Sequence, residues 1–233
     1  MGPNRYTEMQ KSVYRTLSKQ YDNNKNGPVG APIEAHNAWP HYELLFCNID
    51  RQNEKDCLDF GCGPGRNLVK YHDRFKRIDG VDLDHYNIEC AKRYIAENNL
   101  NVDNFKFYVN NGYDISCVPD ESYDIIMSTI CMQHICVHEI RFSLLKDFFR
   151  VLRTGGKIAI QMGFGIPSPK TVDYYANNYE AESTNRNCDT SIANHKQLED
   201  DLVKIGFKDF WHQTSPPGPG DFHPYWIYFN ATK

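Results

Sequence analysis

A chain of 233 residues, 40% hydrophobic and 13% aromatic, suffices for one large α/β core and is short for two. Its formal net charge of -4 excludes a general electrostatic pull toward nucleic acid or anionic lipid, and its apolar stretches are broken by Asp, Arg or Lys well before the ~18 residues that a spanning helix needs. The opening Met-Gly-Pro-Asn-Arg-Tyr-Thr-Glu lacks a signal peptide's apolar core, and the eight cysteines, at 47, 57, 62, 90, 117, 131, 136 and 188, contain no Cys-x-x-Cys pair, so the sequence predicts a reduced, cytoplasmic protein with no structural metal.

Residues 4–21 place Tyr6, Met9, Val13, Tyr14 and Leu17 near the i, i+3, i+4, i+7 spacing of an amphipathic helix. Residues 22–32, rich in Asn, Gly and Pro, read as a loop and a candidate mobile lid. A second helical pattern runs over 34–48 around Ala38, Tyr42, Leu44, Leu45 and Phe46. There Trp39, His36 and His41 are candidate acceptor contacts, although packing or surface is the commoner role of each. Residues 1–50 are expected to form a helical cap on the domain that occupies 51–233.

The chain is organised around residues 58–65, Leu-Asp-Phe-Gly-Cys-Gly-Pro-Gly. Cys57, Leu58 and Phe60 suit a buried strand, and the glycines permit a tight turn or the close approach of a ligand. A helix over 66–75 follows at once and turns its free N–H groups and positive dipole end toward whatever the loop holds. A dinucleotide fingerprint wants Gly-x-Gly-x-x-Gly, whereas this loop is Gly-x-Gly-x-Gly with Arg66 at the last position of that pattern. Asp59, two residues before Gly61, repels a pyrophosphate and suits the ammonium of an amino-acid ligand. Charge therefore points away from NAD.

A strand over 77–82 ends in Asp82, and a helix over 87–98 carries Ile88, Ala91, Tyr94 and Ile95 on one face. Residues 105–109 alternate as a strand before the polar turn Asn110-Asn111-Gly112-Tyr113. Residues 123–128 form a fourth strand, leading into Thr129-Ile130-Cys131-Met132-Gln133-His134-Ile135. An apolar helix over 139–152 is expected to end at Gly155-Gly156, and 157–162 is a buried fifth strand. The rhythm breaks over 163–194, which holds Tyr174, Tyr175, Tyr179 and several Asn. A helix over 195–205, a strand over 208–215, a proline loop over 215–220 and a strand over 225–232 complete the chain.

The run from Asp59 to Arg66 resembles motif I of the class I S-adenosylmethionine (SAM) dependent methyltransferases. Asp82, Asn111, the strand 123–128 and Val151-Leu152-Arg153-Thr154-Gly155-Gly156 follow in that family's order. The resemblance covers 55–162 in detail. It implies a Rossmann-like, doubly wound α/β fold with a seven-stranded, mostly parallel sheet and an antiparallel strand 7. It also implies a SAM site made of Asp59, Gly61, Cys62, Gly63, Asp82, Leu83, Asn111, Gly112 and Ser128. In that scheme Asp82 holds the ribose hydroxyls, Leu83 walls the adenine, and Asn111 accepts from the adenine amino group where the family usually has Asp. In related enzymes an N-terminal helix often covers SAM, which singles out Tyr14 and Tyr21.

The 129–135 stretch resembles the Gln-His-Ile version found in methyltransferases of small molecules, and lacks the Asn/Asp-Pro-Pro-Tyr/Phe signature of base or protein amide methylation. His134 is the candidate general base, ahead of His212 and His223. An insertion after strand 5 commonly builds an acceptor lid, so 163–194 is the candidate. Its neutral Tyr and Asn suit a polar, uncharged acceptor such as a sugar. The leading expectation is methyl transfer to a small-molecule hydroxyl. An N-methyltransferase of a small amine, a SAM-binding partner subunit without turnover and an NAD(P) oxidoreductase are the alternatives. Oligomeric state is not legible.

Overall fold

Five buried residues in a row, Asp56–Phe60, make β1 the middle of the sheet. The computed structural model describes residues 3–24, 40–166, 170–180, 189–218 and 223–233, with the backbone alone at 3, 4, 20–24 and 40. His36, Trp39, the greater part of the expected 22–32 loop and the side chain of Tyr21 lie outside the described residues.

β2 (Arg77–Asp82) and β4 (Tyr123–Ser128) pair in parallel with β1 on its two sides, and β3 (Phe107–Val109) lies outside β2. β5 (Leu152–Phe164) joins β4 in parallel, and β9 (Tyr225–Thr232) runs antiparallel along β5, with β8 (Lys208–Ser215) antiparallel outside it. This is the expected order with its antiparallel strand. The chain reverses its winding between β1 and β4, so a crevice opens at their carboxyl ends.

Two short strands exceed the expected seven. β7 (Asp189–Ile192) pairs with Gly163 and Phe164 of β5, beyond Ile160 where β4 stops, and β6 (Thr171–Asp173) pairs with β7. The 163–194 insertion therefore re-enters the sheet directly past the end of β4. Its composition hid this because Asp-Thr-Ser-Ile is polar, yet all four residues are buried.

Helices cover both faces. α1 (Pro3–Asn24), α4 (His138–Val151) and α5 (His195–Ile205) lie with one core cluster, which holds Tyr6, Leu144, Phe148 and Leu198; α2 (Arg66–Lys70) and α3 (His85–Glu97) lie with the other, which holds Leu68, Val69, Ile88 and Ile95. Each such buried side chain contributes about 1.5–3 kcal/mol relative to exposure. α5 has the expected bounds: Asn194 and Gln197 form a capping box at its start, and Gly206 closes the end with φ 119°.

Three boundaries differ from expectation. The 34–48 pattern yields, among the described residues, a 3-10 helix over Pro40–Phe46. α2 stops at Lys70 because Tyr71 and Phe75 leave helical geometry to pack their rings on Phe46, with centroids at 5.3 and 5.5 Å. α4 ends at Val151, four residues before Gly155, because Leu152 already pairs with Tyr123.

Candidate active site

A cavity of about 360 Å³ opens at the carboxyl ends of β1, β2 and β4. The glycine loop and Asp82 form one wall. Tyr6, Thr7, Gln10, Lys11, Tyr14 and Leu17 of α1 form the roof, and Ile130, Cys131, His134, Ile135 and Asp189 form the far side.

The loop is built for close approach. Gly61 has φ 73°, and a Cβ there would land 2.2 Å from the Cys131 sulfur. Its N–H donates to Val81 O, while the Gly63 N–H donates to Asp82 Oδ2 at 2.9 Å. Cys62 lines the cavity, and burial pushes its thiol well up.

Asp59 sits beneath this loop with no exposure. Neither carboxylate oxygen has a hydrogen-bond partner, although the Asn67 amide and the Arg66 guanidinium favour its charged form. Burial outweighs them and raises the carboxyl to about 7. Asp82 is better provided: Oδ1 accepts from the Asp84 N–H at 3.0 Å and from Asn87 Nδ2 at 2.9 Å, beside the Gly63 bond at Oδ2. Burial still raises its pKa against those three donors.

Leu83 and Gly112 both line the cavity, and Gly112 lies against Leu83 and Thr7. Asn111 does not reach it. Its Oδ1 accepts from the Tyr113 and Asp114 N–H groups at 3.0 and 2.9 Å, closing a turn, and Asn110 takes the place on the wall. Two adjacent asparagines made the register ambiguous in sequence. Ser128 is buried off the cavity, where its hydroxyl donates to Phe60 O at 3.0 Å and ties β4 to β1.

His134 stands on the far wall with Tyr14 beside it, ring centroids 5.8 Å apart. Its Nδ1 meets Asp189 Oδ1 at 2.6 Å. A carboxylate only accepts, so Nδ1 carries the proton and Nε2 is the basic nitrogen. Desolvation by burial pulls the imidazole down, but the charge and hydrogen bond of Asp189 win, with the Ile130 carbonyl adding to them, and its pKa stands above 6.5. Asp189 is driven the other way: burial would raise it, and His134 and His223 hold it well below the usual carboxylate range.

Asp189 is the functional residue the sequence reading missed. It stands 55 positions from His134 in an irregular stretch, and only the pairing of β7 onto β5 brings the two together. The tyrosines of that stretch do not line the cavity. Tyr174 donates to Asp201 at 2.9 Å, and Tyr179 donates to Glu139 at 3.0 Å. Flat polar side chains come instead from α1. His41 is off the cavity wall, and His212 stacks on His195 at 4.4 Å on the outer strand.

Two features hold the far wall rigid. Ile130 has φ 47°, a left-handed backbone that a β-branched residue adopts only under constraint, and its N–H donates to the buried Gln161 Oε1 at 3.1 Å. Arg141, with no exposure, donates to Ile135 O, to Tyr174 O and, at 2.8 Å, to Thr190 Oγ1. One guanidinium thus fastens the loop after β4 to the insertion.

These residues fit SAM. The carboxylate of Asp59 has no hydrogen-bond partner among the described residues and lies buried behind the glycine loop, off the cavity wall, where its charge suits a cationic amino-acid moiety held at that loop. Asp82 keeps acceptor capacity for ribose hydroxyls, and Leu83 with Gly112 gives an apolar slot for a purine.

Residues 57–156 match the methyltransferase domain family. Over 152 residues the chain is 28% identical to a trans-aconitate 2-methyltransferase of Enterobacter sp. (strain 638), covering 63% of this chain and 54% of that protein. Over 103 residues it is 28% identical to an S-adenosyl-L-methionine-dependent Diels-Alderase of Talaromyces variabilis, covering 44% of this chain and 34% of that one. The chain spans about half or less of the length of these curated relatives. The solved structure of the cyclase SpnF shares the fold, with a TM-score of 0.70 at 14% identity over 98% of this chain and 96% of that chain. Residues 57–156 thus match a methyltransferase domain, and the chain shares its fold with a solved SAM-dependent methyltransferase of Methanosarcina mazei, with a TM-score of 0.59 at 17% identity over 78% of this chain and 93% of that chain.

Proposed function

We propose that this chain transfers a methyl group from SAM to a hydroxyl of a small-molecule acceptor, a sugar or another polar metabolite. One arrangement above all supports the reading: the His134–Asp189 pair shares the cavity with the glycine loop and Asp82, and Asp59 lies buried behind that loop. An acceptor between the two walls has the cofactor on one side and a base on the other.

When bound, SAM supplies a methyl group activated by its sulfonium. Asp59 takes the ammonium of its amino-acid end, Asp82 the ribose hydroxyls, and Leu83 with Gly112 and Asn110 the adenine. Cys62, Gly61 and Gly63 let the backbone approach. α1 roofs the cavity and excludes water, and Tyr14 and Gln10 offer the acceptor a flat face and hydrogen bonds. A hydroxyl must lose its proton as the methyl group arrives, and His134 Nε2 receives it while Asp189 stabilises the imidazolium. Alignment of the acceptor supplies much of the remaining rate.

The 163–194 stretch serves as the acceptor-side lid through Asp189. No helix among the described residues is long and apolar enough to cross a membrane, and the seven described cysteines are free thiols, in keeping with a cytoplasmic setting.

The test uses the purified chain with SAM, following S-adenosylhomocysteine release over a panel of sugars, hydroxylated metabolites, carboxylic acids and small amines. Turnover on a hydroxyl acceptor that His134→Gln lowers by about 10²-fold or more is the expected result. Turnover on amines alone, indifferent to His134→Gln, would replace this reading with N-methylation. Retention of SAM with no turnover on any class would make the chain a SAM-binding subunit.

A further inference from the structure

The base does not stand on Asp189 alone. His223, 2% exposed and absent from the cavity wall, places Nε2 3.3 Å from Asp189 Oδ2, so the one carboxylate lies between two imidazoles. Since a carboxylate only accepts, His223 Nε2 is a donor. The chain makes room for this ring at a specific place. A Cβ on Gly163 would fall 2.1 Å from His223 Cε1 and Nδ1, so the imidazole lies directly on the β5 backbone. Trp226 covers it at 5.0 Å between centroids. Gly163 is also the residue of β5 that pairs with Ser191 of β7 and Trp226 of β9. One short stretch of strand thus fixes Asp189, through β7, and His223 together.

We propose that His223 is a positioning residue for the proton transfer: it holds Asp189 Oδ2 so that Oδ1 holds Nδ1–H of His134 and leaves Nε2 basic, and Gly163 is glycine to admit it. The inference rests on the reading of His134 as the acceptor's base. In the step it serves, the acceptor O–H bond breaks, its proton joins His134 Nε2, its electron pair forms the O–CH₃ bond, and the S–CH₃ electron pair stays on sulfur as a neutral thioether. His223 touches neither acceptor nor cofactor.

The groups around His134 leave few other sources for the effect. Tyr6, Lys11 and Tyr14 face it from α1, Cys131 and the Ile130 carbonyl from its own loop, and Asp189 with His223 from β7 and the turn before β9. Tyr6 and Gln10 donate to the His134 carbonyl and not to its ring.

The experiment is a long-range ¹H–¹⁵N titration of the imidazoles in the labelled full-length chain, with SAM calorimetry on the same samples. In the wild type, His134 is expected as the Nδ1–H tautomer with a midpoint above 6.5. His223→Phe should mix the tautomers and lower that midpoint by about one pH unit. His223→Gln, which keeps a donor, should restore most of it. Gly163→Ala, which displaces the ring with every histidine in place, should reproduce the Phe result and covers the case in which His223→Phe does not fold. An unmoved His134 tautomer and midpoint in folded Gly163→Ala or His223→Phe protein would overturn the proposal. If SAM fails to bind the wild type, the proposed function falls while the titration still decides the His223–Asp189–His134 linkage.

Discussion

Asp59→Asn should make the SAM-free protein more stable while abolishing its cofactor binding. The carboxyl is fully buried, has no hydrogen-bond partner at either oxygen, and is raised from 3.8 to about 7. For an acid whose folded pKa lies above its unfolded one, the penalty is absent below the unfolded value. It grows as pH rises between the two and is constant above the folded one. About three pH units at about 1.4 kcal/mol each put the full penalty near 4 kcal/mol, and an asparagine amide left equally unpaired returns about 1–2 kcal/mol of that. The variant should therefore exceed the wild type by about 2 kcal/mol at about pH 8, with the difference passing through zero as pH falls and reversing by about 1–2 kcal/mol toward about pH 4. Urea denaturation followed by tryptophan fluorescence measures it, with unchanged m-values as the check that the denatured state is the same. SAM at 100 times its Kd should stabilise the wild type by about 2.7 kcal/mol and the variant not at all. A variant less stable than the wild type at both pH values, or a gap that ignores pH, would show that Asp59 is a structural acid with a partner.

Asp82→Ala removes the acceptor of the Gly63 N–H as well as the ribose contact. SAM affinity should drop by tenfold or more in calorimetry, with a stability loss of about 1–3 kcal/mol. Activity and stability should also part company with pH. His134, raised above 6.5, contributes stability that is full below its unfolded pKa and is lost as pH rises through the folded one. Asp189, depressed, contributes above about 3.8 and is lost as pH falls through its folded value. The pair thus stabilises most on the acid side of neutrality, whereas turnover needs His134 unprotonated and should rise through an acid limb above pH 6.5. Asp189→Asn should move that limb in kcat to lower pH and cut kcat, and a limb that stays put would detach Asp189 from the base. Arg141→Met fills the space but leaves the Tyr174 carbonyl without its donor and the Ile135 carbonyl with the Thr190 hydroxyl alone, which should cost about 1–3 kcal/mol of stability in urea denaturation.

The parallel core was legible because its signals are local. β1 announces itself by a buried run ending in glycines and α5 by its stop at Gly206, and the proline loop over 215–220 separates β8 from β9. Gly61, Gly63, Asp82, Leu83 and His134 are each a few residues from a strand end and all line the one cavity, whereas Asp59 lies buried behind its wall. What could not be read depends on pairing across long separations. Asp189 reaches His134 only because β7 continues the sheet past β4, and nothing in Asp-Thr-Ser-Ile advertises a buried strand. Asn110 and Asn111 are equivalent in composition, and a choice between them needs the turn geometry that commits Asn111 to Tyr113 and Asp114.

The departures from local rules gather around one cavity. Asp59 is a wholly buried carboxylate, Ile130 is a β-branched residue with left-handed φ, Gln161 spends its carbonyl on the Ile130 N–H, and Arg141 is a wholly buried guanidinium; among the described residues the Asp59 oxygens, the Gln161 amide nitrogen and the Arg141 Nε have no hydrogen-bond partner. Asp59 costs about 4 kcal/mol above its folded pKa and each of the others of order 1–3 kcal/mol, and a simpler residue would remove the cost if packing alone were at stake. Elsewhere the chain follows local rules more closely: α3 starts at the Asp84 cap, α5 is boxed by Asn194 and Gln197 and ends at Gly206, and the two core clusters are dominated by aliphatic and aromatic side chains. The division has a physical reason. On the proposed function, the cavity holds a cation at one wall and a basic imidazole at the other, which needs ionisable groups drawn out of water, where each interacts more strongly with a ligand than it could at the surface. The strain at Ile130 and the guanidinium of Arg141 then fix the wall that carries the imidazole, so that Asp189 and His134 meet at 2.6 Å before any acceptor arrives. Stability given up at these positions is recovered in the alignment of acceptor, base and cofactor.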